Sequence, residues 1–169
     1  MDRIAICALA LLLCSTIAYA DDGNKRGVSI SFDSNDPHTH FGPRRNAHDA
    51  RVAITTRDGS TSLLLMNDVV AVQLTDVALA QIKPKDDDNI LEELVVAGVQ
   101  VALRKAVEYP IANIRIVEVR DGVLTLVNDQ NQPVFKDLKI NGKDVLRDFL
   151  PAEAARFVSA FRTARREGR

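Results

Sequence analysis

All three histidines of the 169-residue chain, His38, His40 and His48, lie within "DPHTHFGPRRNAHD" (36–49). In an extended chain, residues two apart point to the same side. His38 and His40 can therefore offer two imidazoles to one cation, with His48, Asp36 or Asp49 as a third ligand. A catalytic zinc takes three protein ligands and keeps one position open for water, whereas a short histidine tract binds transition metals weakly by composition alone. The chemistry open to His38, His40 and His48 is thus weak transition-metal binding or, with an activated water, metal-dependent hydrolysis.

The stretch "DPHTHFG" (36–42) resembles the Asp-x-His-x-His motif of the amidohydrolase superfamily. That resemblance implies an eight-stranded barrel whose first strand delivers two histidines to zinc, in a chain of about 250 residues or more. It covers seven of the 169 residues, and the sequence departs from it elsewhere. The family draws further histidines from later strands, and here none follows His48. Other catalytic patterns are missing: there is no G-x-S-x-G, no phosphate-binding G-x-x-x-x-G-K-[ST], no H-E-x-x-H and no G-x-G-x-x-G. The serines Ser29, Ser31, Ser34, Ser60, Ser62 and Ser159 have no histidine close in sequence that would form a nucleophile–base pair as a local motif. The acidic run "KDDDNILEE" (85–93) lacks the glycine and closing glutamate of an EF-hand loop, and reads as a helix start.

The first twenty residues, "MDRIAICALALLLCSTIAYA", combine an early arginine, an apolar run from Ile4 to Leu13, and small residues at Ala18 and Ala20. This is the pattern of a secretory signal peptide cleaved after Ala20, which places the protein in the bacterial periplasm or outside the cell. The apolar run is shorter than the roughly 20 residues that span a bilayer. No transmembrane segment is expected after cleavage. Both cysteines, Cys7 and Cys14, leave with residues 1–20, so the remaining chain has no disulfide and no thiolate. Asp2 and Arg3 cancel, and the net charge stays at −1. With no basic excess, nucleic acid and anionic lipid are not expected partners. No Asn-x-Ser/Thr glycosylation site is present, in keeping with a bacterial origin.

Residues 21–50 read as a flexible N-terminal arm with one strand in "GVSISF" (27–32), where Val28, Ile30 and Phe32 alternate. The polar stretch 33–50 reads as a long loop. A single α+β domain follows over 51–169. "RVAITT", "TSLLLM" and "VVAVQL" form one antiparallel meander with turns at Asp58-Gly59 and Asn67-Asp68, and "TDVALAQIKP" is a short helix capped at Thr75 or Asp76 and ended by Pro84. A central amphipathic helix is expected over "ILEELVVAGVQVALRKAVEY" (90–109), opened by "DDDN" (86–89). Its apolar stripe is Leu91, Val95, Gly98, Ala102 and Ala106, opposite Glu93, Gln100 and Arg104. "NIRIVEV", "VLTLV" and "PVFKDLKI" read as a second meander. The closing helix "LPAEAARFVSAFRTARRE" (150–167) carries Leu150, Ala154, Phe157, Val158, Phe161 and Ala164 on the face that packs on the sheet. Arg156, Arg162, Arg165, Arg166 and Arg169 fall on the other face or the tail, where the helix dipole favours cations and where an acidic partner or phosphate can also dock.

The expectation is therefore an α+β protein with two antiparallel β-meanders, a central amphipathic helix and a C-terminal helix packed on the sheet. Without a catalytic set, it is a non-enzymatic binding or interaction protein, its partner an envelope protein or a small ligand. The alternative is a metal-binding protein or metal-dependent hydrolase using His38, His40 and His48. The intact mass of material recovered from the periplasm should correspond to a chain beginning at Asp21. Retention of residues 1–20, or a lipidated Cys7 or Cys14, would overturn the export expectation.

Overall fold

The computed structural model describes residues 30–31, 36–81, 104–136, 138–140 and 143–167. It is a mixed α+β structure of antiparallel sheets and a C-terminal helix. The largest sheet has five strands in the order β2-β6-β5-β4-β3, every neighbouring pair antiparallel. These strands are β2 (His40–Pro43), β3 (Val52–Thr55), β4 (Thr61–Leu65), β5 (Val69–Leu74) and β6 (Lys105–Pro110). β5 is the middle strand, and all six of its residues are buried, which is why "VVAVQL" reads as a nearly unbroken apolar run. The β3–β4 turn uses Asp58, whose Oδ1 accepts from the Ser60 backbone N–H at 2.9 Å and from the Thr56 hydroxyl at 2.8 Å, with Gly59 at φ 73°. After β5 comes α1 (Asp76–Gln81), where the Ala78 N–H donates to Thr75 Oγ1 at 3.1 Å. That bond is the cap expected of Thr75.

Residues 105–109 are strand, not the end of a central helix. "KAVEYP" satisfies both patterns: Ala106 fits the helical stripe, yet Ala106/Glu108 and Val107/Tyr109 also alternate as strand faces. The deciding factor is that β6 has partners on both sides, Val107 pairing with Phe41 of β2 and with Val72 of β5. The rest of the expected helix, 90–104, lies outside the described residues except for Arg104, and so do Pro84 and the acidic run 86–89. The loop expected over 33–50 is likewise interrupted. His40–Pro43 pairs along Lys105–Glu108 as an edge strand, and Ala47–Asp49 makes one turn of 3-10 helix capped by the Asn46 side chain. Of "GVSISF", only Ile30–Ser31 is described; it is a strand, β1.

β7 (Ile114–Arg120) and β8 (Val123–Asn128) form a separate two-stranded sheet. Asp121 and Gly122 both have positive φ, 50° and 77°, the conformation a two-residue hairpin needs to match strand twist. "PVFKDLKI" does not continue as a third strand. It touches β8 through one bridge, Val127 to Pro133, and Phe135 then adopts φ 56°, breaking the extended run. Its end, β9 (Lys139–Ile140), instead sits between β1 and β10 (Lys143–Asp144).

The last element, α2 (Pro151–Glu167), packs against β3 and β7. Ala154, Phe157, Val158 and Phe161 are buried in the main core with Ile54, Leu63, Leu65, Val72, Leu74 and Tyr109. Leu150 precedes the helix and is exposed, so it does not belong to the packed face as expected. A second apolar cluster, Leu64, Met66, Val69, Ala71 and Ala106, lies on the other face of the five-stranded sheet. Phe161 is 2 % exposed. Phe161→Ala should cost about 3–5 kcal/mol in a denaturant melt, and Arg162→Ala, on the exposed face, under about 0.5 kcal/mol. Equal small losses would show that α2 is not anchored in this core.

Candidate functional site

The three histidines occupy three different environments. Residues 36–39 form a turn, closed by the Thr39 N–H on the Asp36 carbonyl at 3.0 Å, so the extended spacing that would align His38 with His40 is absent. His38 packs edge-on against the Tyr109 ring, with centroids 6.1 Å apart, and its Nε2 is 3.4 Å from Asn113 Nδ2. His40 stands beside Glu108, Nε2 to Oε2 at 3.3 Å, while its Nδ1 lies 3.3 Å from the His38 carbonyl. Tyr109 and Glu108 are successive residues of β6 and project from opposite faces of the sheet. His48 is in the 3-10 turn and exposed. Among the described residues, no three His, Cys, Asp or Glu side chains stand where they could hold one metal ion. Nor do those residues form the barrel that the Asp-x-His-x-His resemblance implies; their sheets are antiparallel.

The polar groups of the arm are engaged in two networks. In the first, Asp36 Oδ2 accepts from the Tyr109 hydroxyl at 2.9 Å and from Asn128 Nδ2 at 3.2 Å, while Oδ1 accepts from the His38 N–H at 2.9 Å. Asn128, 1 % exposed, uses its own Oδ1 for the N–H groups of Gln130 and Gln132. Burial of the phenol, reinforced by its bond to Asp36 and opposed by Asn128, pushes the Tyr109 pKa up to about 12.

In the second network, Glu108 is 2 % exposed and held by Arg45, Nε to Oε1 at 2.5 Å and a terminal nitrogen to Oε2 at 3.1 Å. Arg45 is itself fixed by Gln73, which accepts from the Arg45 N–H at 2.8 Å and donates to its carbonyl at 2.9 Å. Gly42 makes the space: a Cβ there would fall 2.2 Å from the Glu108 carboxyl carbon. The geometry is that of a structural ion pair, because the carboxylate's two oxygens both face cation or imidazole donors from the chain itself.

A different situation holds between α2 and β7. Two adjoining hollows of about 450 Å³ and about 320 Å³ run along this junction. The larger is lined by Val119, Ala155, Val158, Ser159, Arg162 and Arg166, the smaller by Arg115 to Glu118 with Arg162, Arg165 and Arg166. Other arginines of the region are tied down: Arg156 to Glu153 at 2.6 Å and the Ala53 carbonyl at 2.6 Å, Arg51 to Glu167, Arg115 to Asn131, and Arg165 to the Arg115 carbonyl. Glu118, in the lining of the smaller hollow, has its buried Oε1 2.6 Å from Arg120 Nε as an ion pair without a hydrogen bond. Among the described residues, the side chains of Arg162 and Arg166 have neither a hydrogen-bond partner nor an ion-pair partner. Two unpaired arginines one helical turn apart therefore line a groove with an apolar end. Sequence periodicity singled out Arg162, Arg165 and Arg166 but not Arg115 or Val119, whose place opposite the helix depends on how the hairpin packs. Arg169 lies outside the described residues.

Comparison with protein-family models, with curated proteins and with solved structures finds no match to this chain.

A phenol whose folded pKa lies near 12, against about 10 unfolded, favours the native state below pH 10 and withdraws that stability as pH rises toward 12. The chain has two tyrosines and no tryptophan, and Tyr19 precedes the expected cleavage point, so Tyr109 alone should give the tyrosinate absorbance of the processed protein. Native-state titration should show that absorbance only near pH 12, and Tyr109→Phe should flatten the loss of stability above pH 10. A midpoint near 10 in folded protein would contradict the Asp36–Tyr109–Asn128 network.

Proposed function

We propose that this chain is an exported bacterial protein, its signal peptide (1–20) removed after Ala20, that acts in the periplasm or outside the cell by binding rather than catalysis. Its working surface is the groove between α2 and β7. The observation that carries this reading is the contrast in how charge is used. Asp36, His40 and Arg45 of the histidine segment are engaged within the fold, whereas the side chains of Arg162 and Arg166 line a groove unpartnered among the described residues. Among those residues no helix is long and apolar enough to cross a membrane, which is compatible with a protein that works free of the bilayer.

A photocrosslinking residue at Ser159, in the groove, should form an adduct in cells that export the protein, and the adduct should disappear in R162E/R166E. The same residue at His48 should form none. For the competing metal reading through His38, His40 and His48, metal analysis of untagged protein should find no stoichiometric transition metal. One equivalent of zinc per chain, lost in H38A/H40A, together with no adduct at Ser159, would reverse the assignment.

A further inference from the structure

We infer that the occupant of the α2–β7 groove is an extended acidic peptide of a protein partner, added as a strand along the open edge of β7 with carboxylates on Arg162 and Arg166. This rests on the binding reading above and specifies the ligand. Four consecutive residues of β7, Arg115, Ile116, Val117 and Glu118, line one hollow. Side chains alternate between the two faces of a strand, so a groove touched by successive residues runs along the strand's edge rather than over a face. Among the described residues β7 has β8 as its one strand partner and no strand lies on its outer side, whereas the outer side of β8 is bridged by Pro133 at Val127. An unpaired edge of backbone N–H and C=O groups is a template for an added strand, with main-chain bonds giving affinity and side-chain pockets giving selectivity.

The facing helix specifies the charge of the occupant. Arg162 and Arg166 are four residues apart in α2, which puts their Cβ atoms about 5–6 Å from each other. In an extended chain, residues two apart lie on the same side and are separated by about 6.6 Å. Acidic residues at i and i+2 of a strand laid on β7 therefore match the two guanidinium groups. At the far end the groove is apolar, with Val119 37 % exposed beside Ala155 and Val158, and takes a small aliphatic side chain. The other end is closed by the Arg165 guanidinium on the carbonyl of Arg115, which sits at the register shift between Ile114 and Ile116. From Ile116 to Val119 the open edge is about 10–13 Å long, room for about four extended residues.

The test is fluorescence anisotropy of processed full-length protein with a labelled Glu-Val-Glu-Val-Glu peptide. Its comparators are the Lys-for-Glu version, two versions N-methylated at alternate amides, one in each register, inorganic phosphate, and vesicles of phosphatidylglycerol. The acidic peptide should bind saturably and weaken as salt rises through about 0.05–0.3 M. R162A/R166A should weaken it about tenfold or more, with the melting transition unchanged because both side chains are exposed. Val119→Lys, which removes the apolar end, should also weaken it. N-methylation should weaken it in one of its two registers, since only one set of amides faces β7. Equal affinity for both N-methylated registers and the parent would remove strand addition. Unaltered affinity in R162A/R166A would place the peptide elsewhere, and vesicle or phosphate binding without peptide binding would overturn the peptide assignment. An adduct at Ser159 in cells with no affinity for the acidic peptide would refute the peptide and leave the binding reading intact; absence of both would remove the two together.

Discussion

A carboxylate taken out of water has to be met by charge and hydrogen bonds, and meeting Glu108 governs the course of the N-terminal arm. Glu108 projects from β6, second from the edge of the five-stranded sheet, and is 2 % exposed. Arg45 and His40 supply its partners, both from the arm. Leaving such a group unpaired costs up to about 3–5 kcal/mol when both partners are fully buried, and less here because Arg45 is 30 % exposed to screening water. The arm must accordingly lie against β6, where residues 40–43 pair along it, and glycine at position 42 leaves the Glu108 carboxylate its place, since a Cβ there would force that side chain to shift. Gln73, from β5, then fixes Arg45 by its backbone, so three strands converge on one ion pair.

The opposite face of β6 carries the complementary constraint. Tyr109 enters the main core, packs edge-on against Phe135 and His38, and directs its hydroxyl to Asp36. Asp36 in turn accepts from Asn128 of β8, linking the arm, the large sheet and the β7–β8 hairpin. A buried phenol needs a partner for its O–H, and the arm provides it. The charges of Asp36, Arg45 and Glu108 are thus committed to holding the fold, whereas at the α2–β7 junction the side chains of Arg162 and Arg166 are unpaired among the described residues.

How much of this was legible depended on the range of the interactions involved. The C-terminal helix was readable because Ala154, Phe157, Val158 and Phe161 repeat at helical spacing, and the strands from Val52 to Leu74 because apolar runs are punctuated by Asp58-Gly59 and Asn67-Asp68. The strands of the β7–β8 hairpin were readable as the apolar runs "NIRIVEV" and "VLTLV". Each signal is local, carried by neighbours within a few residues. "KAVEYP" was ambiguous, since its apolar residues fit a helical stripe and a two-sided strand equally; the choice was made by β2 and β5, 62 to 68 and 35 to 41 positions away in the registers they adopt. "HFGP" offered no apolar alternation at all, because a short edge strand carrying the partner of a buried carboxylate has no need of one.

The candidate sites divide in the same way. Sequence alone determined the residue types and their spacing: three histidines within fourteen positions, arginines at 162, 165 and 166 on one helix, and the apolar stripe that turns those arginines outward. It did so because helix periodicity assigns faces without reference to anything distant. Only tertiary structure decided that His38 and His40 serve opposite faces of β6, that Glu108 is the buried anion His40 and Arg45 meet, and that Arg162 and Arg166 line a groove beside β7. Those outcomes depend on strand register and on which carboxylates are within reach to neutralise which cations, and both are set by contacts between segments far apart in the chain.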